Sequence, residues 1–471
     1  MLLVVTGGRT AGVLILGAAR GCLHSVVMRL TIVDQVHLPE GQLRSHVLKR
    51  GGSVGHLREL PISFDQRRHV LEGQRRGSWM AVAFTLPERV DDDALALAWE
   101  AVVQRHGTLR SAFVARPPRS VVLHEIELRR GGWVDHPAQP GVGIRDRLRE
   151  VLDEACAPFA RPSHRLCVVQ PADGPPSVVI AADHSHVDAW SLLVLVRDLT
   201  TCLADLAGGR PPGVDLPPAP AFADHTHELS SRPPVPEDVV TRWREILDAG
   251  DGAMPTFPLP LGDLSEPRTA VVEVHDVLDT DQLAAFEGHC RGIGASMLSV
   301  SLAEACAAVD DLSGAAAPLR AIFPVHSRYD DRWHDSVGWF ITNSVIEVPS
   351  PDPAACHRAV KEAVVLGSHP LEPIMAPYGG MPMTPGNFAV SWLDNRRLPV
   401  AVPPGLEPQH VSAVVRTDGV MIWFVVNASG LHLRCRYPGT PEARRSVGDW
   451  LDGVRQRLQA RVASSGGPVP D

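Results

Sequence analysis

Val178-Val-Ile-Ala-Ala-Asp183-His184-Ser-His186-Val-Asp188-Ala189-Trp190-Ser191 is the stretch that decides how this chain is read. Its first three residues are β-branched and predict a strand, Val178 to Ala182, ending in a polar knot of Asp183, His184, His186 and Asp188. Beyond the knot, apolar residues at 192, 195, 196, 199, 203 and 206 recur at helical spacing. They predict a helix from Leu192 to Leu206, with Asp188 or Ser191 as its cap. The knot therefore sits on a short loop where a strand passes into a helix, a place where rigid elements commonly hold functional side chains.

At 471 residues the chain exceeds one ordinary core, and two domains are expected. A Pro-rich segment marks the boundary: Pro211-Pro212, Pro217-Pro218-Ala-Pro220 and Pro233-Pro-Val-Pro236. The expected division is a first lobe over 28–212, a linker over 213–236 and a second lobe over 237–471. Residues 1–27 are apolar but broken by Arg9 and Arg20, and are read as an over-extended or disordered start. Both halves mix helices and strands. Helices are expected over 94–106, 144–157, 281–291, 296–309, 353–366 and 441–462. Strands are expected over 79–86, 166–170, 271–277, 319–326 and 387–394, with two or three more between 410 and 437. Asp91-Asp-Asp93 lies before a helix and is read as capping.

Composition narrows function. Forty-five basic and 54 acidic residues give a formal charge of −9 without a long run of either sign, which argues against nucleic acid as a partner. No segment is long and apolar enough to predict a membrane span, and a cytoplasmic location is expected. The eight cysteines have no CxxC spacing and are expected to be free thiols. Lys49 and Lys361 are the only lysines, which disfavours a lysine nucleophile.

Three chemistries fit the knot. His184-x-His186-x-Asp188 matches the opening of a zinc-hydrolase signature, but Ala189 stands where a further histidine is required, and no metal is expected. The knot is also readable as a capped turn with structural histidines. The third reading is general-base catalysis: a neutral imidazole at His184 accepts a proton from a hydroxyl or amine, with Asp188 folding back across the turn. The knot itself contains no Gly-x-Ser-x-Gly elbow, so no covalent intermediate is required of it.

Distant motifs favour the third. The knot resembles the His-His-x-x-x-Asp-Gly motif of the condensation-domain and chloramphenicol acetyltransferase-like superfamily, with His184 and Asp188 in the catalytic positions. Asp183 replaces the first histidine and Ala189 the glycine. Pro61-Ile-Ser-Phe-Asp-Gln66 resembles the family's opening motif, Arg105-His106 to Phe113 its Arg-His-Glu-x-Leu-Arg motif, and Phe222-Ala-Asp224 its Tyr-x-Asp. Val337-Gly-Trp339-Phe-Ile-Thr-Asn343 and Asn387 to Asp394 follow in order, the latter closest to polyketide-associated (Pap-type) acyltransferases. The resemblance spans about residues 60–460.

It implies an α+β fold of two chloramphenicol acetyltransferase-like lobes, a V-shaped pseudo-dimer with a central tunnel. It implies transfer of an acyl group from acyl-CoA or the 4′-phosphopantetheine arm of an acyl carrier protein to an alcohol or amine, in polyketide, lipid or nonribosomal peptide metabolism, with no cofactor. His184 and Asp188 are then catalytic, and Arg328, pairing with Asp188, supports the site together with Asp183 and Ala189. Trp190, Trp339, Asn343, Ser391 and Trp392 are expected to line the tunnel, and His186 and His326 to be structural. A non-catalytic module that docks a carrier protein is the alternative from another functional class.

Overall fold

In a computed structural model that describes residues 29–51, 58–403 and 405–463, the strand entering the knot runs Ser177–Asp183 and the helix leaving it Ala189–Ala207. The expectation for residues 1–27 lies outside the described residues. Every residue of the strand is buried, because it has a neighbour on each edge and a layer on each face, so its sequence is continuously apolar instead of alternating. On one face Val82, Val178 and Ile180 pack with the helices Asp92–Arg105 and Ala189–Ala207. On the other, Ala81, Val179 and Ala181 pack with the helix Ile144–Ala155. Each fully buried Leu or Val in these layers contributes about 1.5–3 kcal/mol.

Two seven-stranded sheets carry the fold. The first is ordered Arg29–Ile32, Gln409–Ser412, Trp79–Thr85, Ser177–Asp183, His164–Gln170, Gln42–Arg50, Leu128–His136. The second is ordered Ile341–Val348, Leu319–His326, Phe388–Asp394, Val420–Asn427, Gly430–Pro438, Arg268–Leu278, Arg416–Thr417. Helices Thr280–Gly292, Met297–Ser313, Pro353–Gly367 and Pro441–Ala463 pack against the second sheet around Phe388, Ile422 and Trp450. Mixed sheets in two lobes are the α+β architecture expected.

The division at 213–236 needs two corrections. Within that span Phe222–Ser230 is a helix, and Phe222 is buried against Phe340 with ring centres 4.8 Å apart. The strand Gln409–Ser412, from the second half of the sequence, lies in the first sheet, parallel to Arg29–Ile32 and antiparallel to Trp79–Thr85. The second lobe thus lends a strand to the first, and a single cut in the chain does not separate them.

Two long strands escape the sequence pattern. Gln42–Arg50 holds four Lys or Arg and His residues, yet it lies inside the sheet, because Arg44 reaches over to Asp92 (Nη2 to Oδ1 2.8 Å). Leu128–His136 is an edge strand and correspondingly polar. The Asp run behaves as read: Asp91 caps the helix Asp92–Arg105, accepting from the N–H groups of Asp93 and Ala94. All seven described cysteines are free and buried. Among the described residues no single helix is long and apolar enough to cross a membrane.

Candidate functional site

The loop Asp183–Asp188 is held from four directions. At its start Asp183 accepts from Ser78 Oγ (2.5 Å), the Ser185 N–H (3.0 Å) and Ser185 Oγ. The His184 N–H donates to Ser78 O (2.9 Å). At its middle Gln66 Nε2, on the helix Phe64–Leu71, donates to Ser185 O (2.8 Å); Ser63 and Gln66 also form the capping box of that helix. At its end Asp188 caps the following helix by accepting from the Ser191 N–H (2.7 Å). Ser191, the other cap considered, lies inside the first turn. Its hydroxyl bridges both backbone groups of Gly338, at 2.9 and 3.1 Å.

Arg328 closes the fourth side. Its Nη1 donates to Asp188 Oδ2 (2.9 Å), Nη2 to Ser191 Oγ (2.8 Å) and Ser336 O (3.0 Å), and Nε to Trp333 O (3.1 Å). The guanidinium lies between the faces of Phe340 and Trp190, 3.9 and 4.7 Å from the ring centres, and is 1 % exposed. Asp188 Oδ2 also accepts from the Phe340 N–H (3.1 Å). Both oxygens of Asp188 are thus committed to the clamp. Its carboxylate places the loop and is not directed at the imidazole of His184.

His184 is partly exposed. Its Nδ1 lies 3.0 Å from Val187 O, an acceptor, so Nδ1 carries the proton and Nε2 keeps its lone pair. Its ring stacks on Trp339, centres 4.3 Å apart and 21° from parallel. Burial lowers its pKa from 6.5 to about 4. At neutral pH the ring is uncharged. His186 faces elsewhere, edge-on to Phe113 at 5.4 Å, and His326 stacks on Trp190 at 4.9 Å. Among the described residues no group of three His, Cys, Asp or Glu is arranged to hold a metal ion.

The residues singled out from the sequence sort as follows. Trp339 lies flat on His184, and Asn343 donates to Asp65 Oδ1 (3.2 Å), tying the second lobe to the opening motif of the first. Ser391 is partly exposed, on the sheet face opposite Phe388, Val390 and Trp392. Two expected tunnel residues are corrected. Trp190 is 1 % exposed, its Nε1 donates to His334 O (3.0 Å), and it serves as the wall behind Arg328. Trp392 points into the second lobe's core with Phe424. Strand alternation turns it away from the side Ser391 faces. Ala189 is the first helical residue, and its φ is not positive, so the missing glycine leaves no backbone strain.

Sequence reasoning missed His69. Its ring centre is 6.1 Å from that of His184 and 5.3 Å from that of Trp339. It lies 3.3 Å from Asp183 and takes a hydrogen bond from Arg75 at Nδ1 (2.9 Å). Burial pushes the Asp183 carboxyl up, but the hydrogen bonds it accepts from His69 and Ser185 outweigh it and bring the pKa to about 2. Asp183 is therefore ionised and anchors His69 beside the site. The available signal was spacing: His69 is three residues after Gln66 and falls on the same helical face.

Gly338 has a local reason to be glycine. A Cβ there would come within 2.4 Å of the Phe222 ring. Gly338→Ala is expected to cost about 1–3 kcal/mol through overpacking, read as a lower urea midpoint at constant m-value. A midpoint equal to wild type would show that Phe222 is free to move.

The condensation-domain family model matches residues 58–364, more than half of the chain. The chain belongs to the condensation-domain family. Acyltransferase PapA3 of Mycobacterium tuberculosis (strain CDC 1551 / Oshkosh) is 27 % identical over 444 residues, covering 90 % of this chain and 93 % of the relative. Trehalose-2-sulfate acyltransferase PapA2 of Mycobacterium tuberculosis (strain ATCC 25618 / H37Rv) is 27 % identical over 430 residues, covering 84 % and 88 %. A solved PapA2 acyl transferase superposes with a TM-score of 0.81 at 22 % identity, over 93 % of this chain and all of that one. Its two-lobed fold is the fold of this chain, and acyl transfer is the activity of this condensation-domain protein.

Proposed function

We propose that His184 is the general base of a direct acyl transfer from a thioester to a hydroxyl. The observation that carries this is the state of one ring: proton on Nδ1 tied to Val187 O, lone pair on Nε2, and a pKa low enough to keep it neutral. Nε2 takes the proton of the acceptor hydroxyl as its oxygen attacks the thioester carbonyl. The tetrahedral intermediate collapses by breaking the carbon–sulfur bond, and the imidazolium returns the proton to the leaving thiolate. The Ala189 N–H, directly after Asp188, is the donor offered to the developing oxyanion, such donors contributing ~3 kcal/mol each. Asp188 and Arg328 act by holding the loop.

The donor is acyl-CoA or a carrier protein's phosphopantetheine arm, and a cytoplasmic site of action follows from that supply. A relative named for acylating a sulfated sugar supports a hydroxyl acceptor over an amine.

The pH dependence tests this reading. Transfer needs neutral His184, so kcat/KM is expected to stay level as pH falls from 8 and to decline only as pH approaches about 4. Thiol release is followed with acyl-CoA and with loaded carrier protein as separate donors, and intrinsic fluorescence checks that the protein remains folded. An acidic limb centred at 6.5 would contradict the assignment. Binding of loaded carrier protein with no thiol released from either donor would favour the non-catalytic module.

A further inference from the structure

Two guanidinium groups lie where the second sheet meets the strand it lends to the first, with no acid beside them. Arg434 and Arg436 are alternate residues of the strand Gly430–Pro438 and so share a face. They flank Trp423, Cζ atoms 4.5 and 5.8 Å from the ring centre. Arg434 is 4 % exposed; Nη2 donates to Ser412 Oγ (2.9 Å), and no salt bridge to either arginine is found among the described residues. The Nε of each is buried without a partner, as are both ring nitrogens of His410 on the lent strand. Arg434 also borders a cavity of about 250 Å³ reached by Thr31, Gln35 and Gln409. The acid on its wall, Asp276, is already paired with His432 (2.7 Å).

Elsewhere in the molecule the buried arginine is neutralised: Arg328 has Asp188. A buried cation without a counter-ion is disfavoured. Burial, reinforced by Arg436, pulls the Arg434 pKa down to about 9. Ser391, in register with Trp423, shares the same face. The lent strand also fixes how far this cluster lies from the base. Ser412 pairs with Met80, Met80 pairs with Ala182, and the Ser78 carbonyl binds the His184 N–H. Two strand spacings and two residues of rise put Ser412 roughly 12 Å from His184.

We propose that Arg434 and Arg436 hold an oxyanion substituent, a sulfate, phosphate or carboxylate, carried by the acceptor alcohol. This rests on the reading that the acceptor hydroxyl meets the thioester at His184. A span of that order suits a charged group elsewhere on a sugar-sized acceptor. It is short for the phosphates of an extended pantetheine donor.

Calorimetric binding to the full-length protein tests it independently of turnover. A monosaccharide sulfate, its unsulfated parent, inorganic sulfate and CoA are each titrated into wild type, His184→Ala, Arg434→Met and Arg436→Met. Wild type and His184→Ala are expected to bind the sulfated sugar at least tenfold more tightly than the parent, with inorganic sulfate competing. Each arginine variant is expected to lose most of that preference. No preference in wild type, or an undiminished preference in both arginine variants, would overturn the proposal. Loss of CoA binding in the variants with sugar binding intact would assign the anion to the donor and overturn it equally. If Arg434→Met does not fold, Arg436→Met and Arg434→Lys decide, the lysine being expected to retain part of the preference. Inert His184→Ala with the sulfate preference intact supports both readings. An active His184→Ala with that preference intact removes only the base.

Discussion

Replacing His184 with alanine is expected to lower single-turnover acyl transfer by roughly two to four orders of magnitude while leaving the melting transition in place. The argument for a large rate effect is that nothing else in the loop is positioned to take the proton. Asp188 spends its oxygens on Arg328, Ser191 and Phe340, and Asp183 spends its own on Ser78, Ser185 and His69. The argument for a small stability effect is that the His184 side chain is partly exposed and makes one hydrogen bond and one ring contact of short range. The loop backbone is pinned through residues that the substitution leaves untouched. A rate within threefold of wild type would remove His184 from the chemistry. A collapse of melting in parallel with rate would make it structural.

Arg328→Ala is expected to produce the opposite pattern, and the largest stability loss of any single substitution considered. Removing one partner of a buried ion pair costs about 3–5 kcal/mol, because the other charge stays buried without compensation. Here the damage extends beyond Asp188: Trp333 O and Ser336 O lose their donor, and the space between Phe340 and Trp190 is left unfilled. The rate should fall as well, because the Asp188 end of the loop loosens. Urea unfolding of Arg328→Ala, Asp188→Ala and the double variant measures the coupling directly. The double variant is expected to be much less destabilised than the sum of the singles. Strict additivity, or a melting curve for Arg328→Ala matching wild type, would show that the clamp contributes little.

Much of this was legible in the sequence, for reasons that are local. The strand–knot–helix stretch reads clearly because its apolar run and its helical spacing are both undiluted, and Asp188 caps as its place before that helix requires. The pairing of Asp188 with Arg328, 140 residues apart, came from family resemblance alone, and the structure forms it. What escaped was set by tertiary context. Gln42–Arg50 looks too charged for an inner strand until Asp92 is seen to neutralise Arg44. The strand Gln409–Ser412 carries no mark of which sheet it will join. Ser391 and Trp392 are adjacent, yet strand alternation sends them to opposite faces, a rule that Phe388 and Val390 already express in the sequence. Trp190 neighbours the motif in sequence, which suggests the tunnel, whereas its helical position turns it onto Arg328.

The central claim is that a neutral, loop-held imidazole passes the acyl group straight from sulfur to oxygen. Intact-mass measurement of protein and small molecules together, quenched during turnover of an acyl thioester with an alcohol, addresses it most directly. The expected result is ester and free thiol appearing at equal rates, wild-type protein never gaining the mass of the acyl group, and His184→Ala yielding neither product on the same timescale. A transient acyl adduct on the protein, or ester formed by His184→Ala at the wild-type rate, would contradict it.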